Sequence, residues 1–138
     1  MAEGIFIDLL QKNNTSHLFE VDSAGTSNYH IGEQPDPRTL KNARANGVIL
    51  NHKCRQFVEQ DFYDYDYIIA MDDSNMDNIL AIKPETELSV TVLKMRYYDP
   101  LHKNANVPDP WFGGEKGFEE VFQILKRSCL NFYDELIG

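Results

Sequence analysis

The sequence predicts an α/β fold in which a parallel sheet is flanked by helices, giving three layers. Residues 67–71 form a continuous apolar run of strand length, which is typical of a strand buried on both faces of a parallel sheet. Helical and strand-like segments alternate along the chain, and this alternation is characteristic of parallel α/β architecture. The 138 residues are 42% hydrophobic, so we expect one domain with one core over residues 1–138.

The first 26 residues are predicted to form a helix, a strand and a loop. Apolar residues recur at helical spacing over residues 1–12, and the two asparagines that follow provide a stop signal. Residues 17–21 are few, partly β-branched and bounded by turn formers, which predicts a strand. This strand leads into the polar loop 22–26, and a strand followed by a polar loop commonly builds a site in α/β folds.

The second predicted helix has the clearest boundary signals. Asp36 precedes Pro37, which places an N-cap residue before a proline at the first helical position. Leu40 and Ala43 line one face, and Gly47 is placed to end the helix as the residue after its C-cap. We therefore expect a helix from Pro37 to about Gly47.

The second half of the chain continues the alternation. Residues 72–74 cap a helix that reaches about Ile82, and residues 90–95 are predicted to form a third strand. The final helix runs from Gly117 almost to the end of the chain. Its apolar stripe includes Cys129, which favours a core thiol over a reactive one.

The predicted order begins with a helix that has no strand before it. A parallel sheet grows by strand–helix–strand crossovers, so a strand is expected ahead of that helix. Three strands are also fewer than the roughly four to six that small sheets commonly contain. The pattern therefore predicts that one strand is missing from these residues.

Composition excludes several classes of partner. Thirteen basic residues against twenty-two acidic ones give a net charge of −9, and without a Lys/Arg cluster we expect neither nucleic acid nor a membrane as a partner. There is no apolar run of membrane-spanning length and no signal-peptide pattern, so the chain is expected to be cytoplasmic.

Metal sites and cofactors are likewise not expected. Cys54 and Cys129 form no C-x-x-C pair, so the sequence suggests neither a zinc site nor a disulfide framework. The acidic aromatic run 61–67 lacks the glycine and the terminal glutamate that a calcium-binding loop requires. We interpret this run as a solvated turn before a strand.

Residues 107–114 are the strongest candidate for a functional loop. Pro108 and Pro110 each fix their own φ angle and restrict the residue before them, so Asp109 is held with little conformational freedom. A carboxylic acid held in this way suits a general acid, although a surface loop rich in turn formers has the same composition.

Five blocks together resemble the low-molecular-weight protein tyrosine phosphatases. They comprise residues 22–27, 35–38, 51–56, 70–75 and 107–110, and they fall in the order and spacing of that family. The blocks D-S-A-G-T, A-M-D-x-x-N and D-P are specific in combination. The resemblance implies the phosphotyrosine protein phosphatase I-like fold, a four-stranded parallel sheet with helices on both faces.

The resemblance also implies an active-site loop of the form C-x5-R-S between the first strand and the first helix. No such loop occurs in these residues, because neither cysteine is followed by an arginine six positions later. The missing strand and the missing loop are therefore predicted to be one gap before Met1. As written, the chain is expected to lack the nucleophile and to be inactive, because losing a nucleophile that acts with its partners can cost on the order of a million-fold in rate.

The resemblance assigns roles to the remaining site residues. Asp109 is the expected general acid and base, with simple surface-loop geometry as the alternative. Ser23 and His52 are expected to support the phosphate-binding loop, although a turn-capping serine and a partly exposed histidine are also consistent with the sequence. The residues expected to line the phosphotyrosine groove, unless they only pack in the core, are Tyr29, Trp111 and Phe112.

Two functional interpretations remain open at this stage. The first is a family phosphatase acting on phosphotyrosine proteins or small aryl phosphates, whose strand and loop precede the written start. The second is a pseudophosphatase that binds phosphoproteins without turnover. Arsenate reduction on the same fold is disfavoured, because its additional redox cysteines are absent. In either case the exposed sheet edges predict pairing between the strands at 17–21 and 67–71, or with another chain, including a homo-oligomer.

Overall fold

The computed structural model describes residues 1–26, 36–51, 55–110 and 114–138. Within these ranges, short 3-10 helices occupy Ser16–Leu18 and Met95–Tyr98. The α-helices and β-strands of the same ranges are, in chain order, α1 (Ala2–Lys12), α2 (Pro37–Ala45), α3 (Asp61–Asp64), β1 (Tyr67–Ala70), α4 (Asp73–Ala81), β2 (Thr91–Lys94) and α5 (Gly114–Ile137).

The sheet is built from β1 and β2, which run parallel. Tyr67 lies opposite Thr91 and Ala70 lies opposite Lys94, with α4 as the connection between the strands. An isolated parallel bridge joins Gly25 to Gln56. In the part of the chain that the structure describes, no strand pairs with the other edge of β1.

Alternate residues of β1 enter two apolar clusters on opposite faces of the sheet. Ile68 and Ala70 belong to a cluster with Phe62 and Ile79, on the side of α3 and α4. Ile69 packs instead against the larger cluster that α1, α2 and α5 build. Successive strand side chains point to opposite faces, so this pattern confirms a parallel sheet flanked by helices.

The long helix α5 covers the larger cluster. Cys129 lies at its centre and is 1% exposed, which confirms the prediction that this thiol is part of the core. Phe132 stacks on Tyr98 with ring centroids 4.8 Å apart and meets Tyr67 edge-on at 5.3 Å. These rings join α5 to the start of β1 and to the 3-10 turn after β2.

Capping signals in the sequence correctly predicted two helix starts and one helix end. The Asp36 carboxylate accepts a hydrogen bond from the Arg38 amide at 2.8 Å, and the Asp72 carboxylate accepts one from the Asn75 amide at 2.7 Å. Gly47 follows α2 with φ at +80°, a left-handed conformation that favours glycine.

The predicted strand at 17–21 is wrong. Ser16–Leu18 is a 3-10 turn, closed by hydrogen bonds from the Leu18 amide to the Thr15 carbonyl and from the Phe19 amide to the Ser16 carbonyl. Phe19 is extended, but a strand also needs a hydrogen-bonded neighbour, and the described residues supply none for 17–21. The expected pairing between 17–21 and 67–71 is therefore not formed.

Other boundaries differ by smaller amounts. The final helix begins at Gly114 rather than Gly117 and ends at Ile137. The run 61–67, expected to be a solvated turn, begins with the short α3. Its first two residues, Asp61 and Phe62, are buried, so this part of the prediction is wrong. No helix in the described ranges is both long and apolar enough to cross a membrane.

Candidate active site

The loop that carries Asp109 is anchored to the carboxyl ends of both strands. The Val107 amide donates to the carbonyl of Met71, directly after β1, at 2.8 Å. The Asn106 carboxamide oxygen accepts from the Asp73 amide, at the start of α4, and from Lys94 Nζ, at the end of β2, both at 3.1 Å. Since ligands of open α/β sheets bind outside the carboxyl ends of the strands, these anchors place the loop where a site is expected.

A buried cluster of charged side chains is hydrogen-bonded to the same loop. Asp99 is almost completely buried and accepts hydrogen bonds from Arg96 Nε at 2.8 Å and from Arg127 Nε at 2.9 Å. Arg96 also donates through Nη1 to the Asn106 carbonyl at 2.8 Å. The cluster therefore connects α5 and the 3-10 turn after β2 to the residue that anchors the acid loop.

The Asp99 carboxyl is held in its ionised form. Burial alone would raise its pKa, but hydrogen bonds from Arg127, from the Leu101 amide and from Arg96 outweigh burial and hold the pKa well below its usual range. The same contact with Asp99 raises the pKa of Arg127. A buried carboxylate bonded in this way needs both arginines to remain stable.

Asp109 itself is exposed and lies close to the N-terminal end of α2. The Arg38 side chain donates hydrogen bonds to the Asp36 carboxylate, which raises the pKa of Arg38 above its ordinary value, and the nearby negative charge of Asp109 adds to this effect. Arg38 also stacks over the Phe118 ring at 5.0 Å from its centroid. The predicted general acid therefore faces solvent beside a fixed guanidinium.

The proline after the acid leaves little room for a side chain on the neighbouring helix. A Cβ atom at Gly117 would lie 3.1 Å from the Pro110 carbonyl oxygen and 3.7 Å from its Cα. The backbone of the acid loop thus lies directly against the first turns of α5.

Ser23 is joined to the first helix by its side chain. Its hydroxyl donates to the Glu3 carboxylate at 2.7 Å, and its amide donates to the Asp22 carboxylate at 2.9 Å. The expected contact partner, a phosphate-binding loop, is not among these residues. Ser23 is half-buried, and its hydroxyl is hydrogen-bonded to the first turn of α1.

Arg55 fixes the loop that contains Ser23. Its Nε bonds Asp22 at 2.8 Å, and its two terminal nitrogens bond the buried Asp61 at 3.1 and 3.0 Å. The hydrogen bond to Asp61 is the main cause of a raised pKa of Arg55, with Asp22 contributing further. Backbone hydrogen bonds between Gly25 and both Arg55 and Phe57 complete the junction.

Three of the blocks noted in the sequence meet around the end of β1. Thr26 lies next to α4, where the Asn78 side chain bonds its hydroxyl at 3.3 Å, and Val107 bonds Met71. The sequence assigned no role to Asn106, Arg55 or Glu3, which make these connections, although Arg55 lies in the block 51–56. Their signal is weak, because a polar residue in a loop reveals its partner only once the fold is known.

Several predicted residues lie outside the described ranges. These are Tyr29, His52, Trp111 and Phe112, together with Cys54. Their roles remain predictions. Among the described residues, no group of three or more His, Cys, Asp or Glu side chains is placed to hold a metal ion.

The fold and the site together define a class: a parallel α/β protein that presents an exposed carboxylic acid on a loop at the carboxyl edge of its sheet. Comparison with known proteins narrows this class. The sequence model of the family described as low molecular weight phosphotyrosine protein phosphatase matches residues 1–137. The chain therefore belongs to the low molecular weight phosphotyrosine protein phosphatase family.

Individual relatives agree with this assignment. The low molecular weight phosphotyrosine protein phosphatase of Saccharomyces cerevisiae is 40% identical, over 91% of this chain and 79% of its own length. The human protein of the same description is 33% identical, over 98% of this chain and 85% of its own length. A protein tyrosine phosphatase structure from Entamoeba histolytica, with Hepes in the active site, matches with a TM-score of 0.91 and 36% identity, over 98% of this chain and 86% of that one.

Proposed function

We propose that this chain carries the general-acid half of a protein tyrosine phosphatase site, with Asp109 as the proton donor. The observation that carries the proposal is the position of Asp109, on a loop bonded to the end of β1 through Val107 and Met71. Phosphotyrosine and aryl phosphate substrates fit the family to which the chain belongs. Asp109 is exposed, as a donor to an incoming ester oxygen must be.

In the proposed reaction, a thiolate attacks phosphorus and the bond from phosphorus to the phenolic oxygen breaks. The protonated Asp109 donates its proton to the departing oxygen, so the product leaves as a neutral phenol. The Asp109 carboxylate then accepts a proton from a water molecule that attacks the cysteinyl phosphate, which releases phosphate and restores the thiolate.

The thiolate and the guanidinium of this reaction are not available in the written sequence. Position 60 is glutamine and position 135 is glutamic acid, so neither Cys54 nor Cys129 begins a C-x5-R sequence. Cys129 is also buried, and burial raises its pKa to about 12, so it is not a nucleophile near neutral pH. We expect these 138 residues alone to be inactive, and we place the nucleophile on a preceding strand and loop.

This proposal can be tested by adding the preceding segment. The chain as written and a chain extended with the N-terminal segment of the S. cerevisiae relative are compared on aryl phosphates whose leaving groups differ in pKa. We expect turnover only from the extended chain. Asp109→Asn in that chain should lower kcat/KM, which reports the step that releases the phenol, by about a hundredfold or more for a poor leaving group, and much less for a good one.

Two results would contradict the proposal. One is turnover by the unextended chain at a rate similar to that of the extended chain. The other is an effect of Asp109→Asn on kcat/KM that does not depend on the leaving group, because a proton donor matters most when the departing oxyanion is most basic. Asp8→Asn, at a surface ion pair on α1, serves as the matched control and should leave the kinetics unchanged.

The alternative is a phosphoprotein-binding module without turnover. The observation in its favour is that the acid loop is anchored at the ends of the strands by hydrogen bonds of Asn106 and Val107 to other described residues. This alternative predicts that the unextended chain binds a phosphotyrosine peptide. Failure to bind at millimolar peptide would count against it.

A further part of the proposal concerns the free edge of β1, which we expect to pair with a second copy of the unextended chain. An exposed strand edge is a template for pairing, and the described residues leave this one uncovered. We therefore expect the unextended chain to self-associate in a concentration-dependent manner in analytical ultracentrifugation, and the extended chain to be monomeric. A strictly monomeric unextended chain would contradict this.

A cytoplasmic location remains part of the proposal. The two cysteines suggest no disulfide framework, which secreted proteins often have.

A further inference from the structure

One face of α2 combines apolar and basic side chains beside the acid loop. Residues at positions i, i+3, i+4, i+7 and i+8 of the helix line an open groove of about 460 Å³. We call this groove the α2 face, and it consists of Pro37, Leu40, Lys41, Arg44 and Ala45. Ala43 points the other way, into the core, where it is 0% exposed.

The α2 face and Asp109 lie over the same turns of α5. Lys41 Nζ contacts the Glu115 carboxylate at 3.2 Å, and Arg38 stacks over Phe118. Pro110, which follows Asp109, packs against Gly117 between those two positions. A peptide whose phosphate is bound next to Asp109 therefore has the α2 face within reach.

Neither cation of the α2 face forms a strong ion pair in the described part of the chain. Lys41 and Glu115 form an ion pair in which the side chains are 78% and 90% exposed, and such pairs contribute little. Arg44 has no carboxylate partner among the described residues, since no ion pair of its side chain is formed there. In a chain with a net charge of −9, this face is a local site for negative charge.

We propose that the α2 face binds acidic side chains of a phosphotyrosine peptide, so that the preferred substrates carry Asp or Glu near the phosphotyrosine. This inference rests on the proposed function and names its substrate class. Helical rise places Lys41 about 4.5 Å and Arg44 about 9 Å along the axis from Arg38, the residue beside Asp109. An extended peptide advances about 3.3 Å per residue, so the acidic residues belong about one and three positions from the phosphotyrosine. Leu40 and Ala45 supply apolar contact for their methylene groups.

The test is a titration of the 15N-labelled extended chain, in which serine replaces the nucleophilic cysteine of the added segment so that the peptide is not cleaved. Binding is monitored by amide chemical shifts, with three peptides of equal length. One has a phosphotyrosine with glutamates one and three positions away, one has glutamines there, and one has the glutamates but an unphosphorylated tyrosine. We expect the acidic phosphopeptide to bind about three- to tenfold more tightly than the glutamine peptide, as two exposed ion pairs would give. Amides of residues 40–45 should shift, and the preference should weaken at high salt.

Charge reversal supplies the matched variants. Lys41→Glu with Arg44→Glu should abolish or invert the preference, whereas Lys12→Glu with Lys83→Glu, on exposed lysines of other elements, should preserve it. Equal melting temperatures confirm that the variants are folded, and Lys41→Gln with Arg44→Gln repeats the test without added negative charge.

The outcomes separate this inference from the proposed function. Equal affinity for the acidic and glutamine phosphopeptides, or a preference that survives charge reversal, would overturn the inference alone. Shifts at residues 40–45 that are the same with and without phosphate would support the α2 face as a site for acidic side chains and count against the phosphotyrosine site. Shifts near Asp109 that require phosphate would support that site.

Discussion

Replacement of Asp99 by asparagine should destabilise the fold by about 3–5 kcal/mol, the usual cost of breaking a buried ion pair from one side. The carboxylate is 0% exposed and faces Arg96, whose side chain is 8% exposed, and Arg127, whose side chain is 28% exposed. Asparagine keeps the shape but has one acceptor oxygen, and its amide group would face a guanidinium. The lower part of the range is expected if water reaches Arg127 and partly compensates its charge.

Urea unfolding followed by circular dichroism measures this difference. A thermal melt gives the same comparison. For a chain of this length each kcal/mol lowers the melting temperature by about 3–5 °C, so the melting temperature of Asp99→Asn should be lower by roughly 10–20 °C. Asp8→Asn is the same substitution at the exposed i, i+4 pair with Lys12 and should cost no more than about 0.5 kcal/mol. The reasoning would be refuted if the two substitutions had similar effects, or if Asp99→Asn cost less than about 1 kcal/mol.

The pH dependence provides a second check on Asp99. The pKa of this carboxyl is lowered in the folded chain, so its contribution is complete above the unfolded pKa of about 4 and is lost as the pH falls towards the folded pKa. The stability difference between wild type and Asp99→Asn should therefore be constant above about pH 5 and shrink below about pH 4. A difference that grows on acidification would contradict the ion-pair explanation.

Two further predictions concern α5. Ser128 is fully buried and its hydroxyl has no hydrogen-bond partner in the described part of the chain, so Ser128→Ala should leave stability unchanged or raise it by about 1 kcal/mol, measured by urea unfolding. A clear loss of stability would mean that the hydroxyl is bonded. Burial raises the pKa of Cys129 to about 12, so in a Cys54→Ser background a thiol reagent at pH 8 should label Cys129 only after denaturation, as mass spectrometry would show. Rapid labelling of the native chain would contradict the packing of α5.

The parts of the fold that the sequence predicted are those with local signals. Asp36, Asp72 and Gly47 mark helix boundaries through contacts within a few residues, and the structure places all three as expected. The apolar run of β1 and the stripe of α5 depend on side-chain periodicity, which is also local. These signals do not depend on what the rest of the chain does.

The errors arise where structure depends on distant partners. Residues 17–21 have the composition of a strand, but strand formation requires hydrogen bonds from a neighbour that local sequence cannot supply. The supports of the candidate site are non-local in the same way: Arg127 is 28 positions from Asp99, and Glu3 is 20 positions from Ser23. Asp109 was predicted from its two flanking prolines, whereas its neighbour Arg38 was not.

The hydrogen bond between the Val107 amide and the Met71 carbonyl has a consequence for how the molecule opens. Local unfolding proceeds in cooperative units, and a loop that shares backbone hydrogen bonds with a strand belongs to the unit of that strand. The acid loop should therefore exchange its Val107 amide proton on the same timescale as the amides of β1, rather than as a separately fraying segment. The Asp109 carboxyl would then keep its position for as long as the sheet is intact, that is, as long as the βαβ unit remains closed.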